Sequence, residues 1–70
     1  MSDDAIIIVR DVMVRRNRAV ITAERIERLG LWHIVGRVDD ELHDVSAGDS
    51  GEEIEEIADR MLSEIDEEYH

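Results

Sequence analysis

The stretch from Ser50 to Tyr69 constrains this chain more than any other. Apolar residues at Ile54, Ile57, Ala58, Met61, Leu62 and Ile65, with Tyr69 four beyond the last, fall on one stripe of an α-helix. Ser50 stands at the N-cap, and Glu53 three residues later completes the Ser-x-x-Glu capping box. Glu52 and Glu53 add negative charge at the positive end of the helix dipole. Gly48 and Gly51 break whatever precedes. A single apolar stripe must be laid on something, so the first fifty residues have to supply a surface for it.

The outward side of this helix is unusual. Glu52, Glu53, Glu55, Glu56, Asp59, Glu64, Asp66, Glu67 and Glu68 are acidic, and Arg60 is the one basic residue. Glu56 and Arg60 form a favourable i,i+4 pair, but Glu52–Glu56 and Glu55–Asp59 repel at the same spacing, each by about 0.2–0.5 kcal/mol. Acids from Glu64 to Glu68 crowd the end of the dipole that prefers cations. Two circumstances rationalise such a helix: high salt that screens the repulsion, or a partner that requires a negative surface.

The whole chain shares the bias. Its 70 residues carry a net charge of −11, with no Lys, Cys, Pro or Phe. The length allows one domain, 1–70, with flexible ends at 1–4 and 69–70. A core this small is marginal, and without cysteine no disulfide staples it, which makes a homodimer plausible. Acid excess without Lys resembles the cytoplasmic proteins of extreme halophiles, where molar salt shortens the screening length to about 3 Å. A GC-rich coding sequence would also favour Arg over Lys, and an acidic decoy of nucleic acid is a third reading. The longest apolar run, Ala5–Val9, is too short to span a bilayer, and no signal peptide stands at the N-terminus, so no membrane and a cytoplasmic location are expected.

Ahead of the helix the pattern is that of strands. Residues 5–14 are rich in Ile and Val, and the run is continuous before it alternates, as in a strand covered on both faces. A helix capped by Ser2 competes for the same segment. Arg15-Arg16-Asn17-Arg18 reads as a turn with Asn17 at positive φ, and Ala19–Ile21 as a short returning strand. Ala23, Ile26 and Leu29 recur in steps of three before Gly30, which predicts a two-turn helix with Gly30 at its C′ position. Leu31–Val38 and Leu42–Ala47 form a second hairpin. A three-residue loop, Asp39-Asp40-Glu41, pairs Val38 with Leu42 and Val35 with Val45. Gly36 inside the strand marks a bulge or a close backbone approach.

The expected fold is α+β: a small antiparallel sheet of two hairpins, a short middle helix, and the long amphipathic C-terminal helix on one face. The alternative is winged-helix-like, because Thr22-Ala-Glu-Arg-Ile-Glu-Arg-Leu-Gly30 resembles a helix of such domains. That alternative makes residues 3–17 helical and leaves no room for a recognition helix between Gly30 and the hairpin.

Residues 10–37 hold seven arginines against three acids, a net of +4, and the rest holds Arg60 against sixteen, a net of −15. Arg15, Arg16 and Arg18 on a turn offer a grip on phosphates; pairing with the chain's own acids is the simpler use for them. His33 and His43, near Asp44, are a conceivable divalent-metal set without a ligand-spacing signature. Asp39, Asp40, Glu41 and Asp44 lack the calcium-loop pattern. Trp32 belongs to the core under the helix or anchors a partner. No Gly-rich phosphate loop, Cys nucleophile or His-Glu-x-x-His is present, so no enzyme and no cofactor is expected.

The leading functional expectation is a non-catalytic interaction protein that meets a basic protein partner through Glu52, Glu55, Glu56, Asp59 and Glu64. One concrete form is a nucleic-acid-mimicking inhibitor of a basic nucleic-acid-binding protein. The second expectation is a small DNA- or RNA-binding regulator using Arg15, Arg16 and Arg18. The third is a halophile accessory or structural protein.

Overall fold

The structure, a computed structural model, describes residues 5–69; of the ends read above as flexible, residues 1–4 and His70 lie outside it, and Tyr69 caps the C-terminal helix with its N–H on the Ile65 carbonyl at 3.0 Å. Four strands, β1 (Ile6–Val14), β2 (Asn17–Ile26), β3 (Leu31–Val38) and β4 (Glu41–Gly48), precede one helix, α1 (Gly51–Glu68). The strands form an antiparallel meander in the order β1-β2-β3-β4, and α1 crosses one face and touches all four. The α+β expectation holds in this form.

Alternation within the strands decides what α1 covers. Register places Ala19 opposite Val38, Ile21 opposite Gly36 and Ala23 opposite Ile34, all on the helix side. These six are buried, and Ile54, Ile57, Ala58, Met61 and Ile65 of α1 close on them. Val9, Trp32 and Leu62 pack around the larger of two clusters, and Val14 flanks the smaller, which is built on Ala19, Val38 and Ile65. The alanines matter, because small residues on the central strand let a helix lie close to the sheet. Gly36 carries this furthest. A Cβ built there would stand 3.2 Å from Met61 Sδ.

The expected middle helix is absent. Thr22, Ala23 and Ile26 continue β2, and only Glu27–Leu29 curl into a single 3₁₀ turn. Ala23 belongs to the period-two series of Ala19 and Ile21, whereas Leu29 is solvent-exposed, so the step of three joined a strand to a turn. Gly30 does take the left-handed conformation expected of it, at φ 66°. The winged-helix alternative falls for the same reason, and because 6–14 is a strand paired with β2 on both sides of a bulge at Val9.

Both hairpin turns are tighter than expected. Val14 pairs with Asn17, so Arg15 and Arg16 are the turn residues and take positive φ, 51° and 72°, rather than Asn17. Asn17 Nδ2 instead donates to the Arg15 carbonyl at 3.0 Å. The other hairpin turns on Asp39 and Asp40, φ 51° and 69°, which pairs Val38 with Glu41 rather than Leu42. The register slips between Gly36 and Arg37, with His43 as the extra residue on β4, and Val35 meets Val45 as expected.

Candidate functional site

All nine acidic side chains of α1 are exposed, and the helix forms as the capping pattern predicts. Ser50 Oγ accepts from the Glu53 N–H at 3.3 Å. The return bond is displaced by one residue, since Glu53 Oε1 accepts from the Asp49 N–H rather than from Ser50. The last turn of α1 holds no basic residue to complement the helix dipole.

The five residues expected to carry binding divide between two situations. At 100° per residue, Glu52 and Glu56 lie on the crest of α1, Asp59 beside it, Glu55 on the flank towards β1, and Glu64 on the flank towards β4. Arg10 reaches up from β1 and donates through Nη2 to Glu55 Oε1 and, at 3.2 Å, to Asp59 Oδ1. The bond to Glu55 is the main cause that raises the Arg10 pKa above its ordinary value, against a desolvation that lowers it. Two of the five acids are therefore tied to one guanidinium. Among the described residues Glu52, Glu56 and Glu64 have no ion pair.

The arginine cluster is drawn into the same self-pairing. Arg15 Nε donates to Asp66 Oδ1 at 2.8 Å, which raises its pKa. Arg18 donates twice to Asp11, at 3.0 and 2.9 Å, which raises the Arg18 pKa and lowers that of Asp11. Arg16 has no ion pair among the described residues. Asp39, Asp40 and Glu41 occupy the neighbouring turn at the same end of the sheet. A phosphate approaching here meets engaged cations interleaved with carboxylates, not an open basic patch.

The two histidines part company. His33 lies on the sheet face away from α1, while the bulge at His43 turns its ring to the helix side. His43 Nε2 lies 2.6 Å from Glu68 Oε2, and its Nδ1 is buried with no hydrogen-bond partner. The Tyr69 ring lies beside that of His43, tilted by 43°, with 6.3 Å between ring centroids. Among the described residues no group of three or more His, Asp or Glu is placed to hold a metal ion. Trp32 is half-buried against the core with the Arg25 guanidinium 5.8 Å over its ring, so it is largely a core residue with a cationic cover.

Comparison with family models, curated proteins and solved structures returns no match.

One surface escaped the sequence reading. The sheet face opposite α1 is apolar as well. Its central row runs Ile8–Thr22–Val35–Val45 across the four strands. Ile6, Ile8, Met13 and Leu42 on this face are 61–66% exposed and Val45 is 49% exposed. The continuous Ile-Ile-Ile-Val run of β1 was its trace, because a strand solvated on one face would alternate from its start.

Proposed function

We propose that this chain is a non-catalytic interaction protein that presents its acidic helix to a basic partner, in the manner of a nucleic-acid mimic. The observation that carries the reading is the arrangement of charge along α1. Nine carboxylates spread over the sixteen steps from Glu52 to Glu68, about 24 Å at 1.5 Å per residue. That is one charge per roughly 3 Å, between the spacing of a single nucleic-acid strand, about 3.4 Å, and of a duplex, about 1.7 Å. The chain's own cations offset only part of it. Arg10 and Arg15 serve the β1 flank, and Arg60 stands one turn from both Glu56 and Glu64, yet Glu52, Glu56 and Glu64 form no ion pair and keep the crest and the β4 flank net anionic. A basic groove that binds phosphates by counterion release would gain from such a rod in the same way, and with the same salt dependence.

The DNA- or RNA-binding alternative is weaker, because two of its three arginines hold acids of the chain itself. The test is displacement. A panel of basic nucleic-acid-binding domains is loaded with fluorescent duplex, and the chain is titrated in at two salt concentrations. Displacement is expected with at least one basic domain, falling as salt rises. The triple variant Glu52→Lys, Glu56→Lys, Glu64→Lys should lose it. Displacement that survives the triple reversal, or direct binding of the duplex by the chain, would overturn the reading.

A further inference from the structure

We infer that the uncovered sheet face is the docking surface for a second copy of this chain, a property separate from the acidic helix and independent of what that helix binds. Four observations carry the inference. The first is the unmet cover. The Ile-rich run of β1 has the composition of a strand buried on both faces, yet α1 covers one face only, and nothing else among the described residues reaches the other.

The second is extent. Four strands of eight to ten residues give a face of roughly 19 × 26 Å, about 500 Å² in projection. Two such faces bring together about 1,000 Å², the lower bound for a specific interface, and side-chain relief adds to that. The row Ile8–Thr22–Val35–Val45 lies at its centre, where an interface is most apolar.

The third is charge, and it selects the occupant. The chain as a whole is at −11, but its charged residues on this face are Asp11, Glu24, Arg18 and Arg37, two acids against two bases. Asp11 and Arg18 already neutralise each other. The face itself therefore adds no net like charge between two copies, and what opposes their approach is the charge carried elsewhere, which salt screens. A basic partner finds nothing to attract it here; it finds that on α1.

The fourth is geometry. Stacking sheet on sheet puts the two acidic helices on opposite outer sides, about 30 Å apart if each layer spacing is about 10 Å. That is several screening lengths of about 8 Å, so the helices do not oppose the pairing. The interface is self-complementary, as a two-fold dimer requires.

Light scattering and sedimentation over about 1 μM to 1 mM, the range for an interface of this size, test the inference. The wild-type chain should dimerise, and more firmly as salt rises. Val45→Lys and Ile8→Lys replace exposed side chains, and each enters a two-fold interface twice. Each should weaken association at least about 100-fold with helical circular dichroism retained. If either variant fails to fold, a spin label on Thr22→Cys, in a chain with no other cysteine, should show coupling to its counterpart within about 20 Å, two stacked sheets being about 10 Å apart. A monomeric wild type throughout the range overturns the inference. So does a dimer that persists in both folded lysine variants, or a Thr22 label without a near neighbour, since either moves the contact to the β1 edge or another surface. The Glu52, Glu56, Glu64 triple reversal should leave the dimer intact, which separates this inference from the proposed function.

Discussion

Asp39 and Arg18 clasp the two hairpins together. The Asp39 N–H donates to the Arg18 carbonyl at 2.9 Å, and the Arg18 N–H donates to Asp39 Oδ1 at 3.0 Å. The pair joins the turn of β3–β4 to the start of β2, and Asp39 does this from a left-handed conformation. Asp39→Ala removes the acceptor and places a residue without a polar side chain at φ 51°, so a loss of about 1–2 kcal/mol is expected. Asp39→Asn keeps an acceptor and tolerates the backbone, so it should fall within about 0.5 kcal/mol of wild type. Urea titration of both variants decides it. Equal stabilities would show that the clasp contributes nothing.

The β1–β2 turn has the opposite defect. Two-residue hairpins of this geometry favour Asn-Gly, and here Arg15 and Arg16 hold both positive-φ positions. Arg15 is retained by its bond to Asp66, but Arg16 has no ion pair to lose. Arg16→Gly should therefore raise stability by about 0.5–1 kcal/mol, the left-handed penalty less the extra freedom of glycine in the unfolded chain. A lower urea midpoint for the variant would contradict this account of the turn.

Gly36 is one place where the sheet leaves no room under the helix. A methyl there meets Met61 Sδ at 3.2 Å, and Met61 is fully buried beside Ile21 and Ile34, with little room to withdraw. Gly36→Ala is expected to cost about 1 kcal/mol and Gly36→Val about 2–3 kcal/mol, through overpacking. Pairing Gly36→Ala with a shortened Met61 should recover part of the loss in a double-mutant cycle. Additive effects in that cycle would show that the strain lies elsewhere.

These sites also show what the sequence could and could not reveal. α1 was legible to its cap because its signal is redundant: stripe, N-cap and acidic first turn agree. β1, β3 and β4 were legible as segments but not in register, because Arg-Arg and Asp-Asp lack the glycine that marks a two-residue turn and because the extra residue at His43 shifts β4 by one. The middle helix was misread because Ala23, Ile26 and Leu29 mimic a helical step across a strand and a 3₁₀ turn. The acidic crest was visible in composition, whereas the claim of Arg10 on Glu55 and Asp59, over forty residues away in sequence, needed the fold. The exposed apolar sheet face left a trace in the continuous run of β1, but the run does not say which of its two faces α1 leaves open.

The acid limb of stability should depend on Asp11. Its hydrogen bonds from Arg18 lower its pKa below the ordinary carboxylate value. A depressed folded pKa contributes stability that is present above the unfolded value, near 3.9, and is lost as pH falls through the folded one. The raised pKa of Arg18 contributes stability at all lower pH and fades only in strong alkali. Asp11→Asn should flatten the decline in urea midpoint below about pH 4 relative to wild type. Arg18→Gln should do the same. Parallel pH profiles for all three proteins would mean that the pair leaves no imprint on folding.

Salt tests what the crest costs. Glu52 and Glu56 repel with no ion pair formed to either, although Arg60 stands one turn beyond Glu56, while Glu55 and Asp59 share Arg10, so screening removes more repulsion than attraction. Raising KCl from 0.1 M towards 1 M shortens the screening length from about 10 Å to about 3 Å. The melting temperature should then rise, by the equivalent of about 1 kcal/mol for a few like-charge pairs at about 0.2–0.5 kcal/mol each. Neutralising the crest with Glu52→Gln, Glu56→Gln and Glu64→Gln should raise it at low salt and reduce the slope. A chain that is helical at 0.1 M yet climbs in this way carries its acids at a cost in dilute buffer, as a binding surface does. A chain that folds only in molar salt would instead support the halophile reading, and a melting temperature indifferent to salt would remove the repulsion on which both readings are built.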